Sequence, residues 1–450
     1  MTALGHGLTR RWSVFLASLL AFAFVTAAAL PARAIPIERV ISPLGIEVWL
    51  VRQNTVPVFD LQFSFEGGAA QDPADKPGVA NIAGALLDEG AGDLDAKAFQ
   101  ERLESRAVEL RFQTGRDSLF GSLRSLNEHR DEAVDLMRLA LNAPRFDKDA
   151  LERIRSQVVS GLRRETTSPN DIASRRWWAA AFPGHPYGRQ VNGTLESVPR
   201  ITTEDLRAYA KRVFARDRLK VAIVGDLDGA AAGKIVDRIF GALPAKGDLQ
   251  PVPAISPQGL GQRIVVDLDV PQAVVTFGRL GVARKDPDFM AAYIVNYILG
   301  GGTFSSRLYR EVREKRGLAY SINDSLVWLK STALMIGGTA TRSDRTGEAL
   351  EVIEAEAKRL AEKGPTEEEL KKAKSYLKGS YALNLDTSNK IAGGLVQIQV
   401  DELGIDYMDR RNALIDAVTL DDTKRVAKRL FDSKMLVTVV GRPQGVTSQN

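Results

Sequence analysis

Cysteine is absent from all 450 residues, which removes thiol nucleophiles, disulfides and every metal site built on thiolates. Histidine is almost as scarce: His6, His129 and His185 are the only three. No two of them lie within one helical turn in sequence, so a centre built on a pair of neighbouring imidazoles has no material here. A strong excess of one charge is missing too. Lys plus Arg is 61 and Asp plus Glu is 56, a net of +5. Arg10, Arg11 and Arg33 stand in an acid-free first stretch of 34 residues, and without them 58 basic side chains face 56 acidic ones, a net of +2. So small a surplus withdraws the main support for nucleic-acid binding. The run Arg175-Arg176-Trp177-Trp178 therefore reads as a helix that packs one indole and exposes the other. With 44% hydrophobic and 26% charged residues, disordered and fibrous classes are excluded as well.

Long apolar runs are also lacking, with one exception. Val14 to Leu30 is interrupted only by Ser18 and Thr26, follows Arg10-Arg11, and precedes Ala32-Arg33-Ala34. This is the pattern of a cleavable export signal over residues 1–34, with a mature start at Ile35. The alternative is an uncleaved anchor, since the run approaches the roughly 20 residues that span a bilayer. No later segment is apolar enough to cross a membrane. Export without cysteine leads us to expect a periplasmic protein that is free of the membrane once the signal is cut.

What is present is a repeat. Ile201 to Phe214 aligns with Val418 to Phe431, sharing an Ala-Lys-Arg-x-Phe core. Each copy predicts a helix capped by Thr202 or Thr419, acidic at its start and basic at its end. Each then leads into a β-branched strand closing on glycine, Leu219 to Gly225 and Leu436 to Gly441. Between the copies, Leu243 to Gly261 holds Pro244, Pro251, Pro253, Pro257 and three glycines, a density that blocks regular structure. The expected organisation is a first domain over 35–245, a linker over 246–261, a second domain over 262–441 and a frayed tail over 442–450. Within the units, Ile46 to Val51 and Val58 to Phe65 read as a hairpin around Asn54 and Pro57, and Glu109 to Gln113 with Ser118 to Leu126 as another. Adjacent hairpins mixed with helices such as Lys148 to Glu165 predict an α+β fold of two homologous sandwiches, each a mixed or antiparallel sheet with helices.

The stretch Leu299 to Tyr320 concentrates polar groups. Gly300, Gly301 and Gly302 break a helix, Ser305 or Ser306 caps the next, and Gly317 ends it before a strand opens at Leu318. Arg313 and Tyr320 are thereby brought close across a tight turn. The Gly-Lys-Ser/Thr that a phosphate loop requires is missing. Asp88 and Glu89, beside Gly90, read as the solvated end of a helix and not as ligands for a hard metal.

Gly-Gly-Gly-x-x-Ser-Ser-Arg-Leu followed by Arg-Glu-Lys-Arg-Gly-Leu-Ala-Tyr-Ser resembles the second domain of the pitrilysin/insulysin (insulinase-like, M16) zinc peptidases. These include the mitochondrial processing peptidase and paired bacterial subunits. Phe182 to Thr194, with its His-Pro-Tyr-Gly, is similar to the family's first domain. Members that cleave peptides carry His-x-x-Glu-His on a helix after Gly-Val/Leu-Ala. Here that run is Gly78-Val79-Ala80-Asn81-Ile82-Ala83-Gly84-Ala85. By the resemblance, Asn81 stands for the first histidine, Gly84 for the general base, Ala85 for the second histidine and Leu162 for the further glutamate ligand. These side chains cannot assemble a zinc site, so no metal or other cofactor is expected in this chain.

The resemblance implies that the other half of the machinery is kept. Arg313 would hold the substrate backbone, and Tyr320 would donate its hydroxyl to the oxyanion of a partner's reaction, as preorganised donors aimed at developing charge. The plainer account is that Arg313 pairs with Glu311 or Glu314 while Tyr320 merely packs. The implied function is an inactive subunit, one half of a clam-shell heterodimer, paired with a homologous zinc-bearing subunit and acting on peptides. A strand such as Val108 to Gln113 would accept peptide at its open edge. The alternatives are a stand-alone peptide-binding or chaperone-like module and a purely architectural subunit.

Overall fold

The computed structural model describes residues 35–449, so the expected export segment over residues 1–34 lies outside the described residues. Two sheets organise the chain. The first contains β1 (Ile37–Ile41), β2 (Glu47–Arg52), β3 (Val58–Glu66), β4 (Glu109–Thr114), β5 (Ser118–Leu126) and β6 (Leu219–Gly225), in the order β1-β2-β6-β3-β5-β4. The second contains β7 (Arg263–Val266), β8 (Gln272–Leu280), β9 (Ala319–Leu329), β10 (Thr332–Arg342) and β11 (Leu436–Val440), in the order β7-β11-β8-β10-β9. With β1 set aside the two orders correspond strand for strand. β2 runs parallel to β6 as β7 does to β11, and the remaining neighbours are antiparallel in both sheets. The fold is α+β, built twice. The repeated helices Thr203–Val213 and Leu420–Phe431 even carry the same reciprocal cap, Thr202 with Asp205 and Thr419 with Asp422.

One local expectation fails. β2 and β3 do not form a hairpin, because β6 lies between them. β6 reads Leu-Lys-Val-Ala-Ile-Val-Gly and is buried at every position except the half-buried Lys220. A strand apolar on both faces belongs inside a sheet, where both of its edges are paired. β11 separates β7 from β8 for the same reason. β4 and β5 do form a hairpin, in the register Thr114 to Leu119.

Each sheet turns one face to its own helices. Phe59, Leu61, Phe63 and Phe65 alternate along β3 into a core shared with Val221, Ile223 and Phe240. Ala273, Val275 and Phe277 do the same along β8 beneath Leu350, Ile353 and Leu430. The opposite faces are covered by exchange. The helix Pro169–Ala181 of the first repeat packs on β8 and β11, and the helix Ser388–Val400 of the second packs on β3 and β6. Trp177 is fully buried and donates from Nε1 to the Leu436 carbonyl at 3.0 Å. Gln399 donates from Nε2 to the Val221 carbonyl at 2.9 Å. The two carbonyls belong to the corresponding strands β11 and β6. Gly278 leaves room for the indole, since a Cβ there would lie 2.4 Å from the Trp177 ring. The neighbouring Trp178 is half-buried, under the guanidinium of Arg116.

No helix or strand falls within residues 246–261, yet the segment is stapled in place. The Gln71 side chain exchanges hydrogen bonds with Gln250. Ile255 donates to the Ser331 carbonyl, and Gln258 donates to the Ala181 carbonyl. The tail differs from expectation: Gln449 exchanges backbone hydrogen bonds with Arg263, and Ser448 Oγ accepts from Val265, so the exposed edge of β7 gives the last residues a partner.

Trp177→Ala should lower stability by about 3–5 kcal/mol, the range for deleting a buried indole. Urea unfolding of the two proteins would measure it, and a loss below about 1 kcal/mol would contradict the packing described.

Candidate functional site

The helix Val79–Ala85 begins at Gly78, whose φ of +104° and contact with the Gly193 backbone exclude a side chain. Buried Asp72 caps it, accepting from the Gly78 amide at 2.7 Å and the Ala80 amide at 2.8 Å. Burial pushes the Asp72 carboxyl up to about 7, against those two amides. Along the helix Asn81 and Ala85 are half-buried and Gly84 is buried. Leu162 is buried on the helix Lys148–Glu165, in the same apolar core that Ala85 packs against. The Thr114 hydroxyl donates to the Ala80 carbonyl at 3.0 Å, and a Cβ on Gly84 would lie 3.0 Å from that hydroxyl oxygen. Strand β4 thus closes on the helix where a general base would need space.

These residues do not fit a zinc ion. The four positions offer one neutral amide and no imidazole or carboxylate. His185 is committed elsewhere. Its Nδ1 accepts from the Tyr187 amide, which leaves Nε2–H to donate to the Pro253 carbonyl at 3.0 Å. Glu89 pairs with Arg153. Among the described residues no group of three or more His, Asp or Glu could hold a metal ion.

Arg313 and Tyr320 stand in the second domain. The helix Phe289–Asn296 runs into a wide π-helical turn, Tyr297–Gly301, that lies against β9. A Cβ on Gly300 would fall 2.7 Å from Asp324 Oδ1, so this glycine exists for close approach and not for a phosphate. Asn296 donates to the same oxygen at 2.6 Å, and burial pushes the Asp324 carboxyl up to about 8. A second wide turn, Tyr309–Glu314, follows Ser306, whose Oγ accepts from the Tyr309 amide. Arg307 clamps it to the neighbouring helix by a two-pronged bond to Glu369 at 2.8 and 2.7 Å. Gly317, at φ +58°, turns the chain into β9.

The turn sets the Arg313 guanidinium between two rings, 4.7 Å from the Tyr309 centroid and 4.8 Å from the Tyr320 centroid. Phe304 meets Tyr309 edge-on at 5.0 Å. Tyr320 is 82% exposed and Phe304 71%. The expected alternative pairing does not form. Glu311 takes Lys315 at 2.7 Å and Arg316 at 2.9 Å instead, and among the described residues no carboxylate pairs with Arg313. Burial alone would raise the Glu311 carboxyl, but those two cations outweigh it and hold it at about 2. The guanidinium is therefore fixed through its faces, leaving its N–H edge available. Tyr309 was not singled out from the sequence, although its spacing of four residues before Arg313 is the signal for stacking on one helical face.

An insulinase (peptidase family M16) model matches residues 48–195, and a model described as the peptidase M16 inactive domain matches residues 200–377. A crystal structure of a peptidase M16 inactive domain from Pseudomonas fluorescens aligns with a TM-score of 0.84 at 27% identity, covering 92% of this chain and 99% of that one. The non-peptidase homolog YmxG of Helicobacter pylori is 28% identical, with 77% of this chain and 80% of the relative covered. An uncharacterized zinc protease of Mycobacterium leprae is also 28% identical, over 83% and 84%. The fold defines a twofold-repeated α+β chain without a metal-holding group among its described residues. The chain belongs to peptidase family M16, as a member without the zinc-binding residues.

Two outcomes follow. Purified chain should carry no stoichiometric zinc by elemental analysis, and one zinc per chain would contradict the site as described. Because Glu311 is depressed when folded, its stabilisation is complete above the free carboxyl's 4.5 and drains as pH falls towards 2. Across that window wild type should lose on the order of 2 kcal/mol more than Glu311→Gln. Parallel pH profiles in urea unfolding would refute it.

Proposed function

We propose that this chain is the inactive subunit of an exported, periplasmic M16 heterodimer, lending Arg313 and Tyr320 to peptide cleavage at a homologous partner's zinc site. The observation that carries the reading is the Arg313 guanidinium, stacked between Tyr309 and Tyr320 with no carboxylate paired to it among the described residues. Structural arginines of this chain such as Arg279 and Arg411 are buried and spend nitrogens on backbone carbonyls. One held by its faces, beside a phenol that is 82% exposed, is suited to bind a peptide carbonyl and to donate to an oxyanion. On this reading the partner brings the metal and the base, and the two chains close as a clam-shell. The division is physically sound because such stabilisation depends on where donors sit and not on which chain carries them.

Mixing the chain with a partner bearing His-x-x-Glu-His should give chelator-sensitive peptidase activity. Arg313→Ala or Tyr320→Phe should reduce turnover by about 10²–10³-fold. Full turnover with both variants would overturn the assignment.

A second reading, a stand-alone peptide-binding or chaperone-like module, draws on the edge of β4, which among the described residues pairs with β5 alone. It would be favoured by peptide binding to the single chain that neither chelator nor Tyr320→Phe alters. The purely architectural alternative leaves the exposed Tyr320 without a task.

A further inference from the structure

Beside the end of β4 lies a solvent-open cleft of about 190 Å³, lined among others by Arg116, Arg175, Arg189 and Trp178, with Glu165 and Asp171 also on its wall. Among the described residues none of these three arginines forms an ion pair, although most arginines elsewhere in the chain do. Arg189 spends one nitrogen on the Asp72 carbonyl at 2.8 Å. Three guanidinium groups and two carboxylates line the wall, and the Asp117 carboxylate beside Arg116 adds a further negative charge.

Arg116 is the best prepared of the three. Its guanidinium lies 3.6 Å above the Trp178 ring, and its Nε donates to the Tyr187 carbonyl at 3.2 Å. Both terminal nitrogens remain for a ligand. The loop that carries it is pinned from three sides. Ala69 and Ala70 donate to the carbonyls of Gly115 and Arg116. The adjoining Asp117 accepts from the Tyr187 hydroxyl at 2.6 Å and from the Lys330 amide at 2.7 Å, across to the second domain. Partial burial lowers the guanidinium to about 10, so it stays charged at neutral pH while poorly hydrated. A planar cation stacked on an indole, with its fork unpaired, is the standard receptor for a carboxylate.

Its position indicates where the carboxylate comes from. Arg116 follows Thr114, the last residue of the open edge strand, by two positions. We propose that the cleft is a carboxylate-binding subsite that anchors a peptide laid along β4, through either an acidic side chain or the peptide's own C-terminus. The inference rests on the peptide-binding part of the function proposed above, and it is independent of the zinc partner.

The test uses the single full-length chain and dye-labelled peptides read by fluorescence anisotropy. A neutral parent, with glutamine inside and an amidated C-terminus, is compared with a version bearing glutamate and with a version bearing a free C-terminal carboxylate. At least one acidic version should bind tenfold or more tightly than the parent, and which one does so identifies the source. That advantage should vanish in Arg116→Gln and shrink in Arg175→Gln, a helix position whose replacement leaves the pinned loop intact. Equal binding of all three peptides to wild type, no binding of any of them, or an advantage that survives both substitutions would overturn the proposal. Failure of the partner-mixing experiment with this discrimination preserved would sink the catalytic role alone.

Discussion

The constraint on which the molecule depends is that neither sheet can bury its second face with its own residues. Each repeat supplies helices for one side of its sheet and lends one helix to the other repeat. Trp177 meeting the Leu436 carbonyl and Gln399 meeting the Val221 carbonyl are the two ends of that exchange. An indole or an amide buried against a strand must find a partner for its N–H, so the contacts fix the depth and rotation of each borrowed helix. The stapled segment over 246–261 follows from this, because it has to run between two bodies already locked together.

Locking leaves particular places unlocked. β4 and β9 occupy the outer edges of their sheets and are corresponding strands of the repeat. The degenerate helix Val79–Ala85 sits against the first edge, with Thr114 closed on Ala80. Arg313 and Tyr320 sit at the start of the second. In the first domain this edge is thus packed against a helix that carries no metal ligand. The other domain anchors its ladder on buried Tyr309 and leaves Tyr320 and Phe304 exposed.

The charges around Arg313 show how such a ladder is maintained. Glu311 is taken by Lys315 and Arg316, and Glu369 by Arg307, so these two acids are occupied before they can reach Arg313. Three cations on two acids give this frame a surplus of positive charge, so neither acid has capacity left for Arg313.

Much was legible from residue order. The duplicated Ala-Lys-Arg-x-Phe helices, the cap at Thr202 and Thr419, the break at Gly300 to Gly302 and the turn at Gly317 are local signals, and local signals survive in any context. The absence of imidazoles at Asn81 and Ala85 needed no coordinates at all. The expected β2–β3 hairpin does not form because Asn54 and Pro57 mark a reversal of direction without saying which strand will sit alongside. That choice was made by the doubly apolar β6, more than 150 residues later in the chain. The tail is held where fraying was expected because its partner, Arg263 on an edge strand, is equally remote. The sequence by itself determined which chemistry this protein lacks and which donors it retains, since those are properties of side chains. Only the tertiary structure decided that Arg313 is stacked and unpaired, that Arg116 is pinned beside an edge strand, and that each repeat completes the other. Those are matters of distance between remote residues, and the packing of two sheets sets them.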